Sequence, residues 1–213
     1  MDRTRARHPG SHRARLPVLD PVESNARLTA GVAAVLFGLL AAEGVTILQI
    51  RGLLSEHVFI GMLLVPPVLV KTASTGYRFA RYYLGTPAFR RKGPPPALLR
   101  LLGPFVVLLT FAVLATGIAL LLVGPSLRAP MLTLHKASFV LWLVVMTVHV
   151  LGHLADTARL VPRDWMRGTR GQVTGAGARQ WAIAASLVAG LLLGLLLLGR
   201  VAPWLASVTR PGH

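Results

Sequence analysis

Five long apolar stretches dominate the chain, over about 28–50, 57–79, 98–123, 131–155 and 181–198. Each holds roughly the 17–25 residues that carry a helix across a bilayer core about 30 Å thick. The apolar residues run on continuously instead of forming one stripe, so the expected solvent is lipid. Helix breakers bound the gaps: Gly93-Pro94-Pro95-Pro96, Gly124-Pro125, Pro162 and the run from Gly171 to Gly177. No internal period marks a repeat array. The pattern predicts an all-α fold, an integral-membrane bundle of five transmembrane helices within 28–205. A basic tail at 1–27 precedes it and a short tail at 206–213 follows it.

Composition supports this reading. Of the 213 residues 54% are hydrophobic and 14% charged, against about 25% charged in a soluble domain. There is no cysteine, which excludes disulfides, thiolate metal sites, c-type haem and iron–sulfur clusters within the chain. The net charge of +16 changes the picture only through its placement. Six basic residues lie before residue 28, six between Arg78 and Arg100, and five between Arg159 and Arg179. That is 17 of the chain's 23 Lys and Arg on one side of the predicted membrane. Arg51, Arg128, Arg200, Arg210 and, near the edge, Lys136 lie on the other side. Positive charge stays inside, so the N-terminus is expected in the cytoplasm and the C-terminus outside, in the cell membrane. The basic excess is a topology signal, with anionic lipid as the tail's partner and no nucleic acid expected. The tail is not expected to be a signal peptide, because the apolar stretch after it spans and ends without a small-residue cleavage site.

The chemistry gathers at histidines inside the apolar stretches. His8, His12 and His213 lie in the tails. His135 and His149 are 14 residues apart in the fourth stretch, and His57 and Lys71 are 14 apart in the second. Fourteen residues rise about 21 Å and end about 40° from whole turns, so each pair shares a helix face. With five spans the second and fourth helices run in the same direction. That sets His57 at the depth of His135, and Lys71 at the depth of His149. Ionisable groups in such stretches are functional candidates by default. Two imidazoles at one depth on parallel helices suit the axial positions of a haem. The competing reading makes each histidine a cap at a membrane-edge helix end.

The pattern resembles the membrane-embedded cytochrome b domains of bacterial oxidoreductases, whose two parallel helices each carry two haem-ligand histidines about 14 apart. Locally, HVFIGMLLVPPVLVKTASTGYRFARYYLGTPAFRRKGPPPALLRLLGP followed by LHKASFVLWLVVMTVHVLGH looks like small actinobacterial membrane proteins of the cytochrome b type. The likeness covers about 27–160. It implies a four-helix haem-binding core within the five spans. It carries over His57 and His135 as ligands of an outer haem and His149 as a ligand of an inner one. Lys71 stands where the fourth histidine would be, so one haem b is expected, with two as the alternative. Lys71 has three readings: a neutral-amine ligand, a cation for a propionate or quinone carbonyl, or a filler paired with a carboxylate or reaching the interface.

Other residues add detail. Arg78 and Lys136 are candidates to bind propionates, with Arg81 and Arg128 in the same role. His153 is an alternative inner ligand or proton carrier, and more simply a partner of Asp156. Glu43 needs a partner or a proton: it is a candidate proton gate at a quinol site near the outer haem, and more simply an ion-pair partner of Arg51 or Lys136 or a protonated acid. Gly31, Gly38, Gly44 and Gly61 offer room for a flat macrocycle or for helix contact. Pro66-Pro67 is expected to bend the second span. Trp142, Trp165, Trp181, Tyr77, Tyr82 and Tyr83 read as interface anchors. The function expected is electron transfer by a b-type cytochrome, exchanging electrons with a quinone or a docked redox partner. Membrane anchorage of a redox enzyme is a role in which such domains serve. A haem-free scaffold or assembly subunit is the alternative, and a transporter the least favoured. No nucleotide-binding or hydrolase motif appears, so an electron-transfer subunit is favoured over a complete enzyme. The oligomeric state stays open.

Overall fold

The computed structural model describes residues 20–93, 97–164 and 166–209. Most of the basic tail with His8 and His12, the Pro94–Pro96 breaker, Trp165, and the C-terminal segment with Arg210 and His213 lie outside the described residues. The described elements are α1 (Pro21–Leu48), α2 (Leu54–Tyr83), α3 (Pro87–Lys92), α4 (Ala97–Leu122), α5 (Pro125–Leu160), α6 (Arg167–Arg170), α7 (Ala176–Leu198) and α8 (Ala202–Thr209), with single 3₁₀ turns after α5 and α7. Five helices are long and apolar enough to cross a membrane. The expected all-α bundle is the observed one.

Helix starts lie outside the apolar stretches, because caps rather than hydropathy set them. α1 begins seven residues before the expected Leu28. Asp20 accepts the Val22 and Glu23 amides at 2.9 and 3.0 Å, and Pro21 fills the first helical position, where its missing N–H costs nothing. Arg27 therefore belongs to α1 and not to the tail. α5 begins at Pro125 after Gly124, ten residues before His135. Its 36 residues rise about 54 Å, more than a bilayer is thick. α2 runs without a break through Pro66 and Pro67. The short helices α3, α6 and α8 were not expected from hydropathy.

The bundle is organised as two groups. α2 packs on α7 and α1, α4 packs on α5, and the groups meet where α1 touches α5 and α2 touches α4. Between α2 and α5 close backbone approach is scarce. An apolar core of Val32, Leu36, Leu64 and Val68 joins α1 and α2, and small hydroxyl residues are buried as well. Thr46, Ser74, Thr116, Ser138 and Ser186 are buried, while Leu48, Leu108, Val144, Leu151 and Leu196 are exposed. Small hydroxyl residues that hydrogen-bond locally let helices approach, and aliphatic side chains face a solvent as apolar as themselves. These surfaces suit contact with membrane lipid.

The α2–α7 seam is the closest. A Cβ on Gly190 would lie 2.5 Å from the Leu63 carbonyl oxygen, and one on Gly194 would lie 2.8 Å from the Phe59 ring. Gly190 and Gly194 form a GxxxG pair that lets the backbones meet. Gly190→Ala must push the α2 backbone away, at about 1–3 kcal/mol. Gly38→Ala meets nothing within 4 Å. The expected result is a lower melting temperature in detergent for Gly190→Ala and an unchanged one for Gly38→Ala; equal effects would mean that the seam does not hold the bundle together.

Candidate functional site

The His57 and His135 rings meet across the gap between the two helix groups. Their centroids are 6.5 Å apart and their planes 75° apart. Each ring is held from behind by the helix that precedes its own. His57 Nδ1 lies 3.0 Å from Glu43 Oε1 and 3.1 Å from Thr46 Oγ1, both on α1. His135 Nδ1 lies 3.0 Å from Thr116 Oγ1 on α4. Neither histidine caps a helix end. His57 sits in the first turn of α2 but turns its ring to α1, and His135 lies well inside α5.

Each threonine hydroxyl also reaches a carbonyl of its own helix. Thr46 Oγ1 donates to the Glu43 carbonyl at 2.7 Å. Thr116 Oγ1 donates to the Ala112 carbonyl at 2.7 Å, with Val113 at 3.0 Å. With the hydroxyl proton so placed, each threonine can accept from an imidazole protonated at Nδ1. That tautomer would leave the Nε2 lone pair for a metal.

If a haem is bound between α2 and α5, His57 and His135 would be the residues to hold its iron. Bare ions are less well served. Among the described residues no three His, Asp or Glu side chains converge to hold one, whereas a porphyrin brings four nitrogens and needs two axial ligands. Gly117 gives His135 its room, since a Cβ there would lie 3.2 Å from the ring, and Gly61 faces Glu43 Oε1 at 3.5 Å.

Several sequence expectations end differently. Glu43 pairs with His57, not with Arg51 or Lys136. Gly31 packs against Ile183 of α7, and Gly38 and Gly44 face open space. Among the described residues Lys71 finds no carboxylate. Its Nζ donates to the Thr29 carbonyl of α1 at 2.9 Å, beside a Thr29–Ser74 hydroxyl pair at 2.9 Å. His149 keeps a buried Nδ1 with no partner, and its ring lies 4.7 Å from that of His153. Among the described residues His153 makes no bond to Asp156. The inner position thus gathers a lysine tied to α1 and two histidines of one helix, with no pair of rings facing across the gap. Arg78 bonds the Gly93 carbonyl at 3.4 Å and so ties α2 to the end of α3. Lys136 is exposed on α5. Arg128 lies over the Trp204 ring at 5.0 Å. Trp142 is half-buried and donates to Thr110 of α4 at 2.9 Å.

Sequence reasoning missed Thr46 and Thr116. It also missed a buried polar cluster at the opposite end of the bundle. There Asp164 accepts two bonds from Arg179 and one from Arg27 at 3.1 Å. Five apolar helices of spanning length fit a multi-pass membrane protein. No family model, curated protein or solved structure matches the chain.

Proposed function

We propose that this chain is a membrane b-type cytochrome in which His57 and His135 hold one haem b between α2 and α5. The observation that carries this reading is the pair of imidazoles, 6.5 Å apart, each with its Nδ1 against a buried threonine hydroxyl, an arrangement in which Nε2 can carry the lone pair. When bound, haem supplies a one-electron couple; axial ligation, hydrogen bonding and burial tune its potential. The chain's own residues would hold the ligands: Glu43 and Thr46 sit behind His57, and Thr116 sits behind His135. Lys71, tied to Thr29, and the partnerless His149 favour one haem over two. The reading includes an N-terminus in the cytoplasm and a C-terminus outside, from the placement of the Lys and Arg residues. It also includes a quinone or a redox partner subunit as the electron donor or acceptor. A role as the membrane anchor of a redox enzyme rests on the resemblance alone.

The test is a dithionite-reduced minus oxidised spectrum of protein expressed with haem supply, alongside a haem-to-protein ratio. A sharp b-type α-band at one haem per chain is expected. A ratio of two would restore the inner site. No band in folded protein would overturn the proposal and leave a haem-free scaffold.

A further inference from the structure

The turn between α2 and α4 carries a concentration of positive charge that nothing nearby neutralises. No Asp or Glu occurs between Glu56 and Asp156 in the sequence. Within that stretch lie Arg78, Arg81, Arg90, Arg91 and Lys92. Arg81, Arg90, Arg91 and Lys92 are exposed, and none has an acidic partner among the described residues. At this end of the bundle Glu23 and Asp164 are engaged with Arg27, Arg163 and Arg179, Asp20 caps α1, and Asp156 lies near His153 on α5 and makes no ion pair with the four cations among the described residues.

The charges sit on a fixed platform. Phe89 of α3 is buried, and its ring meets that of Tyr77 edge-on at 5.7 Å. The Phe89 and Arg90 amides bond the Thr86 carbonyl, each at 3.1 Å. Arg78 closes the far end on the Gly93 carbonyl. Arg81 lies over the Tyr77 ring at 5.7 Å. Such stacking leaves the guanidinium edge free to donate.

The depth of this platform follows from its aromatics. Tyr77, Phe79 and Tyr83 are exposed over the last turns of α2, and amphipathic rings gather at the headgroup level of a bilayer. α3 therefore lies where lipid phosphates lie, with its one aromatic side chain buried in the protein and its cations outward. Arginine forks match phosphate oxygens in pairs.

We propose that Arg81, Arg90, Arg91 and Lys92 form a binding surface for the headgroups of anionic phospholipids. This is independent of the haem reading. It differs from the general excess of basic residues on one side, because it assigns binding to one ordered turn.

The test titrates the full chain in neutral detergent with phosphatidylglycerol or phosphatidylcholine and counts bound lipid by native mass spectrometry. The wild type is expected to prefer phosphatidylglycerol. The triple variant R90Q/R91Q/K92Q is expected to bind it about a hundredfold more weakly, the effect of removing three basic residues near a lipid phosphate. Phosphatidylcholine binding should not change. The variant R51Q/R200Q, at the opposite end, should keep the preference. A triple variant of unchanged helical content that retains the preference would overturn the proposal. So would an equal loss in R51Q/R200Q, which would make net charge the cause. Displacement of phosphatidylglycerol by equimolar inorganic phosphate would overturn it in favour of a free-phosphate site.

Discussion

His57→Ala and His135→Ala are each expected to abolish the b-type band, while Lys71→Ala keeps it. In the proposed site, removing either ring would leave the haem with one of its two histidine ligands. Lys71 instead donates to the Thr29 carbonyl on α1. The same geometry ranks two milder variants. Thr46→Val and Thr116→Val keep the volume but remove the hydroxyl against each Nδ1. Loss of such a second-shell partner costs about 10–100-fold in affinity. Thr116→Val should cost more, because His57 keeps Glu43 when Thr46 is lost. Haem retention through gel filtration, read with the reduced-minus-oxidised spectrum, separates the cases. A full band in both histidine variants would move the site elsewhere. Wild-type retention in both threonine variants would remove the tautomer argument and leave the histidines as the only support.

The spans were legible because the bilayer reads bulk composition, and Leu, Val and Ala runs survive any uncertainty about packing. Their ends were not, because Asp20-Pro21 and Gly124-Pro125 start helices by capping, outside the apolar runs. The facing of His57 and His135 could be read from helix direction and spacing. Their supports could not be read the same way. Thr46 and Thr116 look like isolated hydroxyls in apolar helices, where the bland expectation is a bond to the helix's own carbonyl. Both do make that bond, and with the proton so placed they can accept from the imidazoles. Glu43 was recognised as needing a partner, but charge pointed to Arg51 and Lys136. Burial close to α2 decided for His57. The GxxxG pair Gly190–Gly194 is present in the sequence, but glycines recur throughout the apolar stretches and only close approach to Leu63 and Phe59 singles these two out. Arg27 was counted for topology, and counting charges conceals which of them are buried.

Asp164→Ala is expected to be the most destabilising single change outside the histidine site. The carboxylate is buried between Arg27 and Arg179, which are themselves only 4% and 5% exposed. Arg179 grips both its oxygens and also bonds Ser24 at 2.9 Å and the Thr174 carbonyl at 2.8 Å. Arg27 adds the Thr169 carbonyl at 3.1 Å and Glu23 at 3.1 Å. Gln180 reaches the Asp164 carbonyl at 3.0 Å. One acid thus joins the start of α1, the turn after α5 and the start of α7. A buried ion pair gains little over an apolar replacement, but breaking one leaves an uncompensated charge and costs about 3–5 kcal/mol. Here two guanidinium groups would be left facing each other. Glu23→Ala supplies the comparison. It loses an exposed bridge to Arg163 and one bond to Arg27, whose guanidinium keeps Asp164 and the Thr169 carbonyl as partners. Thermal unfolding in detergent should therefore rank Asp164→Ala far below Glu23→Ala. Asp164→Ala combined with Arg179→Ala should be less unstable than the two single losses added together, since the second change removes one of the stranded charges. Equal melting temperatures for Asp164→Ala and Glu23→Ala would mean that this end of the bundle is held by the α2–α7 seam alone, with the polar cluster as a passenger.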